Sequence, residues 1–445
     1  MGRMGALVRA GVALLVAWGG AAAAEEPKPA EVLFRNVRVF DGTSPRLSAP
    51  TDVLVRGSRI ARIAPGQVAA ADAQVIEGRG RTLMPGLIDA HVHMHFTSMT
   101  MKSLLAPDLT PAEADEMAAR SAREMLMRGF TAVRDVGGPV FALKAGIDSG
   151  KWQGPRIWPS GPTVSQTAGH GDYRLPSEGP RRFTGRMSRA EAFGAGWIAD
   201  GRDEVLTAVR ENLRFGASQI KLMAGGGTSS EYDPVDVAQY TFDELKAAVE
   251  AAEDWNSYVT VHAYTDRAIR RAIEAGVKCI EHGQMASEET LRLMRDRGVW
   301  LSLQVLRPTT PDMSPLRAEK RRPVIEGQPR VFEAAKRLGV RLAWGTDFLF
   351  EPALNREQNA NLLALRQWFT PAEILKLVTH DNAQLLALSG PRSPYPGELG
   401  VVREGALADL LLVNGDPIAD IDLLGDPERN FALIMKDGRI YKNSL

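Results

Sequence analysis

Pro85-Gly86-Leu87-Ile88-Asp89-Ala90-His91-Val92-His93 is an apolar run that ends in two histidines at i and i+2. Alternate side chains of a β-strand face the same side, so His91 and His93 project together, about 6–7 Å apart along the strand. Two imidazoles at that separation can close on one metal ion, and neutral imidazole is the commonest metal ligand. Leu87 and Ile88 seat the strand in an apolar core, and Pro85-Gly86 marks a turn before it. A bare His-x-His also suits an ordinary strand, so the remaining histidines decide the reading.

Outward from this stretch, residues 83–390 alternate strands with helices. Strand candidates are Thr82 to His91, Thr131 to Arg134, Arg156 to Pro159, Gln219 to Met223, Tyr258 to His262, Lys278 to His282, Val299 to Leu303 and Arg341 to Trp344. Helical stretches include Ala112 to Arg128, Thr241 to about Trp255, and Asp266 to Ala275 with Gly276 as its stop. Eight strands alternating with helices predict an α/β fold, a (β/α)₈ barrel of the TIM type.

The flanks read differently. Residues 31–82 hold short strands: Val32-Leu33-Phe34 and Val37 to Phe40 separated by Arg35-Asn36, then Val53 to Val55 and Ile60 to Ile63 around a Gly57-Ser58 turn. Residues 391–445 repeat the pattern with Ala408 to Val413, Phe431 to Met435 and the turn Asp437-Gly438. The two ends are expected to pair into one small β-sandwich domain beside the barrel. Residues 1–24 carry Arg3 and Arg9, an apolar run from Gly11 to Trp18, and small residues up to Ala24. This predicts a secretory signal peptide and a secreted or periplasmic mature protein.

The formal net charge is zero and hydrophobic content is 44%, which gives no reason to expect nucleic-acid binding. No apolar stretch is long enough for a membrane span after signal cleavage. Cys279 is the single cysteine, so an internal disulfide is excluded, and its strand setting predicts a packed thiol.

Barrel active sites lie at the C-terminal ends of the strands. There the sequence places His91 and His93 on the first strand, Lys221 on the fourth, His262 on the fifth, His282 on the sixth and Asp347 after the eighth. Singly, each has a bland reading as a packed histidine, a snorkelling lysine or a capping aspartate. Jointly they predict a metal site.

With these residues in view, the chain resembles the amidohydrolase superfamily. The matching features are Pro85 to His93, Lys221, His262, Glu281-His282-Gly283, Gly345-Thr346-Asp347 and the late Ala408-Asp409-Leu410. Ala224 to Gly227, Val261-His262-Ala263 and Ala168 to Asp172 are similar to the imidazolonepropionase-like branch. That branch holds Xaa-Pro-type dipeptidases and ochratoxin-hydrolysing amidohydrolases. The resemblance implies two divalent metal ions: His91, His93 and Asp347 on one, His262 and His282 on the other, and Lys221 bridging them as an N-carboxylated lysine. Carboxylation reverses the sign of an ammonium that two cations would repel. Nitrogen and oxygen ligands with hydrolytic chemistry favour Zn²⁺, with Mn²⁺ or Co²⁺ open.

The resemblance further implies an activated water as nucleophile, with Asp347 moving its proton to the leaving amine. His170, in a glycine-flanked loop, is the candidate donor to the carbonyl oxygen in the tetrahedral state, and thus both catalytic and substrate-binding. Tyr232 is the candidate for a substrate carboxylate. Arg181, Arg182, Arg186 and Arg189 in the 172–201 loop are further carboxylate candidates, and Met94, Met99, Met101, Leu104 and Leu105 are candidate pocket walls. His95 is expected to lie beyond the strand, and His380 at a helix start capped by Asp381. The expected substrate is a small-molecule amide, a dipeptide or N-acyl amino acid, with ochratoxin A included. A ring amidohydrolase or deaminase, and a non-catalytic binding protein on the same barrel, are the alternatives. A homo-oligomer, octameric by analogy, is expected.

Overall fold

A computed structural model gives the structure of the chain and describes residues 31–66, 68–230, 232–310 and 313–445. The expected signal peptide, residues 1–24, lies outside the described residues.

Eight parallel strands build the barrel: Leu87–Val92, Phe130–Asp135, Arg156–Pro159, Ile220–Met223, Val259–Thr265, Cys279–Met285, Trp300–Leu303 and Arg341–Trp344. The first three share one hydrogen-bonded ladder and the last five another. Two seams close the ring, and polar side chains stitch both. At one seam Asp347 N donates to His91 O (2.9 Å), while Asn382 Nδ2 spans Ile88 O (2.7 Å) and Trp344 O (2.9 Å). At the other, Gln219 Nε2 donates to Trp158 O (3.0 Å) and Ser218 N to Pro159 O (2.7 Å). Each amide thereby satisfies backbone groups that lack a ladder partner.

The helices begin where the sequence signals place them. Pro111–Met127 and Phe242–Asp254 both start with a capping box, Thr110 with Glu113 and Thr241 with Glu244. Asp266–Ala275 stops at Gly276, whose φ is 107°.

The chain ends form one continuous sheet beside the barrel, folded over an apolar core that includes Phe34, Val53, Leu83, Leu412 and Leu433. Glu31–Val39 belongs to both halves of it. The runs at Val32–Phe34 and Val37–Phe40, read as two strands, are one strand with a bulge where Asn36 takes a φ of 53°. Thr82 to His91, read as one strand, is two. Thr82–Pro85 pairs antiparallel with Leu410–Val413 in the end sheet, and Leu87–Val92 enters the barrel. Gly86 is the crossing point, where a Cβ would lie 2.0 Å from Thr131 Oγ1. Asp409, from the Ala408-Asp409-Leu410 motif, clamps the two parts: Arg156 of the third barrel strand grips its carboxylate at 2.8 and 3.2 Å.

His380 does not start a helix. It lies within a π-helical turn, Leu377–Asp381, between the helices Pro371–Lys376 and Asn382–Leu386. Asp381 makes no cap bond, because the helix runs through it; its carboxylate meets Lys376 and His380 Nδ1 (2.8 Å) instead.

Candidate metal centre

On the fifth barrel strand Thr260, His262 and Tyr264 alternate onto the barrel interior, as a period of two requires, and Tyr258 precedes them in the same register. They step upward from the floor to the mouth. On the sixth strand Glu281 and His282 are neighbours, which a regular strand would point to opposite faces. A left-handed backbone at His282 (φ 77°) brings both inside. Asp347 also has a positive φ, 52°, a conformation that aspartate tolerates better than most residues.

At the mouth, His91, His93 and Asp347 bring one ligand atom each within 4.8 Å of one another. His91 Nε2 lies 3.1 Å and His93 Nε2 3.3 Å from Asp347 Oδ1. The opposite ring nitrogens are held from behind: His91 Nδ1 by Glu281 Oε2 (2.7 Å) and His93 Nδ1 by Gly137 O (3.0 Å). That second bond fixes the ring and its tautomer, as it does for metal-ligating histidines in general. His262 Nε2 is tied to Gly226 O (3.0 Å), and its ring lies 4.4 Å from that of His282. His91 Nε2 and His282 Nδ1 are buried and have no hydrogen-bond partner. A buried polar atom without a partner is costly, and His91 Nε2, grouped with His93 and Asp347, fits a metal held there.

The electrostatics agree. Burial lowers the pKa of His93, His262 and His282, which keeps the rings neutral and able to ligate. Burial also lowers the pKa of Lys221, against the pull of Glu281 and Asp347. Asp347 goes the other way. Burial alone would raise it, yet His91, His93 and His282 hold it well below the usual carboxylate range.

These six residues line one pocket of about 30 Å³ together with His170, Tyr173 and Tyr264. The six predicted ligands therefore meet at one place. His170 joins them by stacking on His262 at 4.2 Å between centroids, with its Nδ1 on Ser230 Oγ (2.9 Å). Gly227 makes that possible, since a Cβ there would lie 1.8 Å from the His170 ring.

Two larger cavities flank the pocket. One, of about 220 Å³, shares Thr228, Tyr264 and Asp347 with it and is bounded by the loop after the seventh strand and the helix Pro315–Leu338. The other, of about 410 Å³, shares Tyr173 and Leu349 and is walled by Met101, Leu105, Leu175 and Phe350. Tyr232 lies in the wall of this second cavity, 58% exposed, and not in the metal pocket. Of the candidate apolar walls, Met101 and Leu105 line the cavity, while Met94, Met99 and Leu104 are buried in the core. Arg181 and Arg189 are spent on backbone carbonyls (Ile198, and Ala106 with Leu109), and neither they nor Arg182 and Arg186 line any of the three spaces. His95 is buried against Asp115 (2.9 Å), outside the site.

Tyr264 and Tyr173 were not among the sequence candidates. Tyr264 had a signal, because it stands at i+2 from His262 on the same strand and so shares its face. Tyr173 had none beyond its place three residues after His170 in an irregular loop.

A parallel barrel with this ligand set at its C-terminal mouth is the architecture of metal-dependent amide hydrolases, and residues 82–441 match the Amidohydrolase family. The chain belongs to that family and is a hydrolase acting on amide bonds. It is 34% identical over 375 residues to the ochratoxinase of Aspergillus niger, an alignment covering 81% of this chain and 75% of that one. Among solved structures it is similar to a prolidase complexed with N-methylphosphonate-L-proline (TM-score 0.84, 32% identity, 93% of this chain and 100% of that one). It is similar also to a Xaa-Pro dipeptidase with bound methionine in the active site (TM-score 0.79, 29% identity, 93% and 100%). The structure of the A. niger ochratoxinase superposes with a TM-score of 0.80, at 27% identity over 94% of this chain and 96% of that one.

Proposed function

We propose that the protein is a binuclear metal-dependent amidohydrolase that releases a C-terminal amino acid from dipeptides or N-acyl amino acids, aryl amides such as ochratoxin A among them. The observation that carries this reading is the convergence of His91, His93 and Asp347, with ligand atoms within 4.8 Å of one another, in one small pocket with Lys221, His262 and His282. His91, His93 and Asp347 would hold one divalent ion, His262 and His282 the other, and a carboxylated Lys221 would bridge them, with Zn²⁺ favoured by the donor set. Such ions supply an activated water and polarise the scissile carbonyl.

The chain's own residues do the rest. Asp347, kept anionic by the histidines around it, takes the proton of the attacking water and passes it to the departing amine nitrogen. Ser230 and His170 set up a donor to the carbonyl oxygen. Ser230 Oγ (2.9 Å) and Asp233 Oδ2 (3.5 Å) hold the Nδ1 edge of His170, and Lys320 Nζ in turn holds Ser230 Oγ (3.3 Å), so the ring is fixed in place beside the carbonyl. Tyr264 and Tyr173, whose pKa values burial raises, stay protonated and exclude water from the site. The likeness to an ochratoxinase supports an aryl amide on the acyl side. The likeness to structures holding a proline phosphonate and methionine supports an amino acid on the amine side.

The test is hydrolysis of Xaa-Pro, Xaa-Phe, Xaa-Arg, N-acyl-phenylalanine, ochratoxin A and imidazolonepropionate by the metal-loaded enzyme, with and without chelator. Chelator-sensitive release of a C-terminal amino acid is expected. Turnover of the ring substrate alone would overturn the substrate class. Export and homo-oligomeric assembly belong to the same proposal and are checked by N-terminal sequencing and solution mass of the mature protein.

A further inference from the structure

The two cavities beside the metal pocket share Ser229, Arg317, Leu349 and Glu351 and differ in the rest of their walls. Arg317 and Arg321 stand one turn apart on Pro315–Leu338 and share a face, which looks into the 220 Å³ cavity together with Arg307. Arg317 pairs with Glu351 (2.9 Å) and Arg307 with Glu357 (3.4 Å). Arg321 donates to the carbonyl oxygen of Arg307 (2.8 Å), and among the described residues it forms no ion pair. The Nε atoms of Arg317 and Arg321 are buried and without hydrogen-bond partners. Guanidinium stays charged at any working pH. Among the described residues Arg321 is thus the guanidinium of this wall without an ion pair, and its Nε is already desolvated. The other cavity has Met101, Leu105, Leu175 and Phe350 as an apolar wall of its own, where Arg174 is closed on Asp172 (2.8 Å).

Asp347 sets the orientation of a substrate across them. It borders the arginine cavity and the metal pocket but not the apolar cavity. Asp347 is the residue that hands a proton to the departing amine, so the amine half lies on its side.

We infer that Arg321, backed by Arg317, binds a carboxylate on the amine-side half of the substrate, while the acyl half occupies the apolar cavity. The inference rests on the amide-hydrolase reading above. Carboxylate is the anion whose two oxygens match the planar guanidinium fork. It can come from the main chain of the released amino acid or from an acidic side chain.

Four amides of one aryl acyl group separate these sources: those of leucine, leucinamide, glutamate and glutamate α-amide. The metal-loaded enzyme should favour a carboxylate-bearing amide over that of leucinamide by about 10- to 100-fold in kcat/KM, the range for a hydrogen bond to a charged group. In Arg321→Gln that ratio should fall toward one, through KM, and Arg321→Lys should restore part of it. Thermal midpoint and metal content of each variant check its fold. Preference for leucine over leucinamide assigns the main-chain carboxylate; preference for glutamate α-amide assigns the side chain. A wild-type ratio near one, or a ratio that survives Arg321→Gln, overturns the anchor and leaves the amide hydrolase standing. No hydrolysis of any member overturns the reading of the site and the anchor with it.

Discussion

The mouth and the floor of the barrel are built by the same strands, a few residues apart, and they treat buried polarity in opposite ways. On the floor, Arg134 reaches Glu281 (2.6 Å), Ala90 O (2.6 Å) and Tyr258 Oη (3.3 Å), while Glu281 also takes bonds from Thr260 and His91. Burial opposes both charges. Even so, Glu281 raises the pKa of Arg134, and Arg134 with His91 holds Glu281 well below the carboxylate range. At the mouth, ring nitrogens of His91 and His282 go without partners. A saturated network stiffens a core, whereas a half-satisfied one persists where function requires it. The difference separates scaffold from machinery within one ring of strands.

The largest effect that would sharpen this contrast is Asp347→Asn. Asparagine accepts the left-handed backbone that Asp347 needs. We expect kcat to fall by about 10²- to 10⁴-fold, the usual weight of a positioned acid–base group, with the thermal midpoint unchanged or higher. A large loss of stability with it would erase the distinction.

Next in size is Arg134→Met, which leaves Glu281 as an uncompensated buried charge. Breaking such a pair costs about 3–5 kcal/mol, to be read as a lower denaturation midpoint of the metal-free protein. The pH dependence carries a definite sign. Glu281 has a depressed folded pKa, so its stabilising contribution is complete above the unfolded value of 4.5 and is lost as pH falls through the folded value. Without Arg134 that folded value rises, and acid unfolding should begin at a higher pH than in the wild type. An unchanged acid transition would mean that the floor is not the scaffold described.

The smallest expected effect belongs to Cys279, which sits on the floor strand beside Glu281. Burial pushes its thiol up to about 12, so the thiolate is scarce below that pH. The native protein should resist a thiol-specific chromogenic reagent at pH 8 and react with one equivalent once denatured. Rapid native labelling would show the floor to be open.

The sequence revealed the barrel because its strands are apolar runs at regular spacing, and the candidate ligands because they end those runs. His91 and His93 were readable from their i, i+2 spacing alone, and Tyr264 could have been found in the same way from His262. What stayed hidden was whatever depends on an irregular backbone. Glu281 and His282 are sequence neighbours on one strand, and nothing local announced the φ of 77° that turns both inward. The split at Gly86 was invisible because residues 82–91 are apolar on both sides of it. Arg317 and Arg321 went unread because their helix, Pro315–Leu338, contains Pro323 and Pro329, which ordinarily argue against a continuous helix.

The pairing of Thr82–Pro85 with Leu410–Val413 has a consequence for the order of events in making the protein. The strand that leads directly into His91 leaves the ribosome early, but its antiparallel neighbour emerges only after the entire barrel. Contacts of such long sequence separation slow folding. Until then Thr82–Pro85, the lead-in to the strand of His91, is anchored on one edge only, by Glu31–Val39. A chain that stops short of residue 410 lacks the second neighbour of that lead-in, so the last strands act as a completeness check on the catalytic mouth.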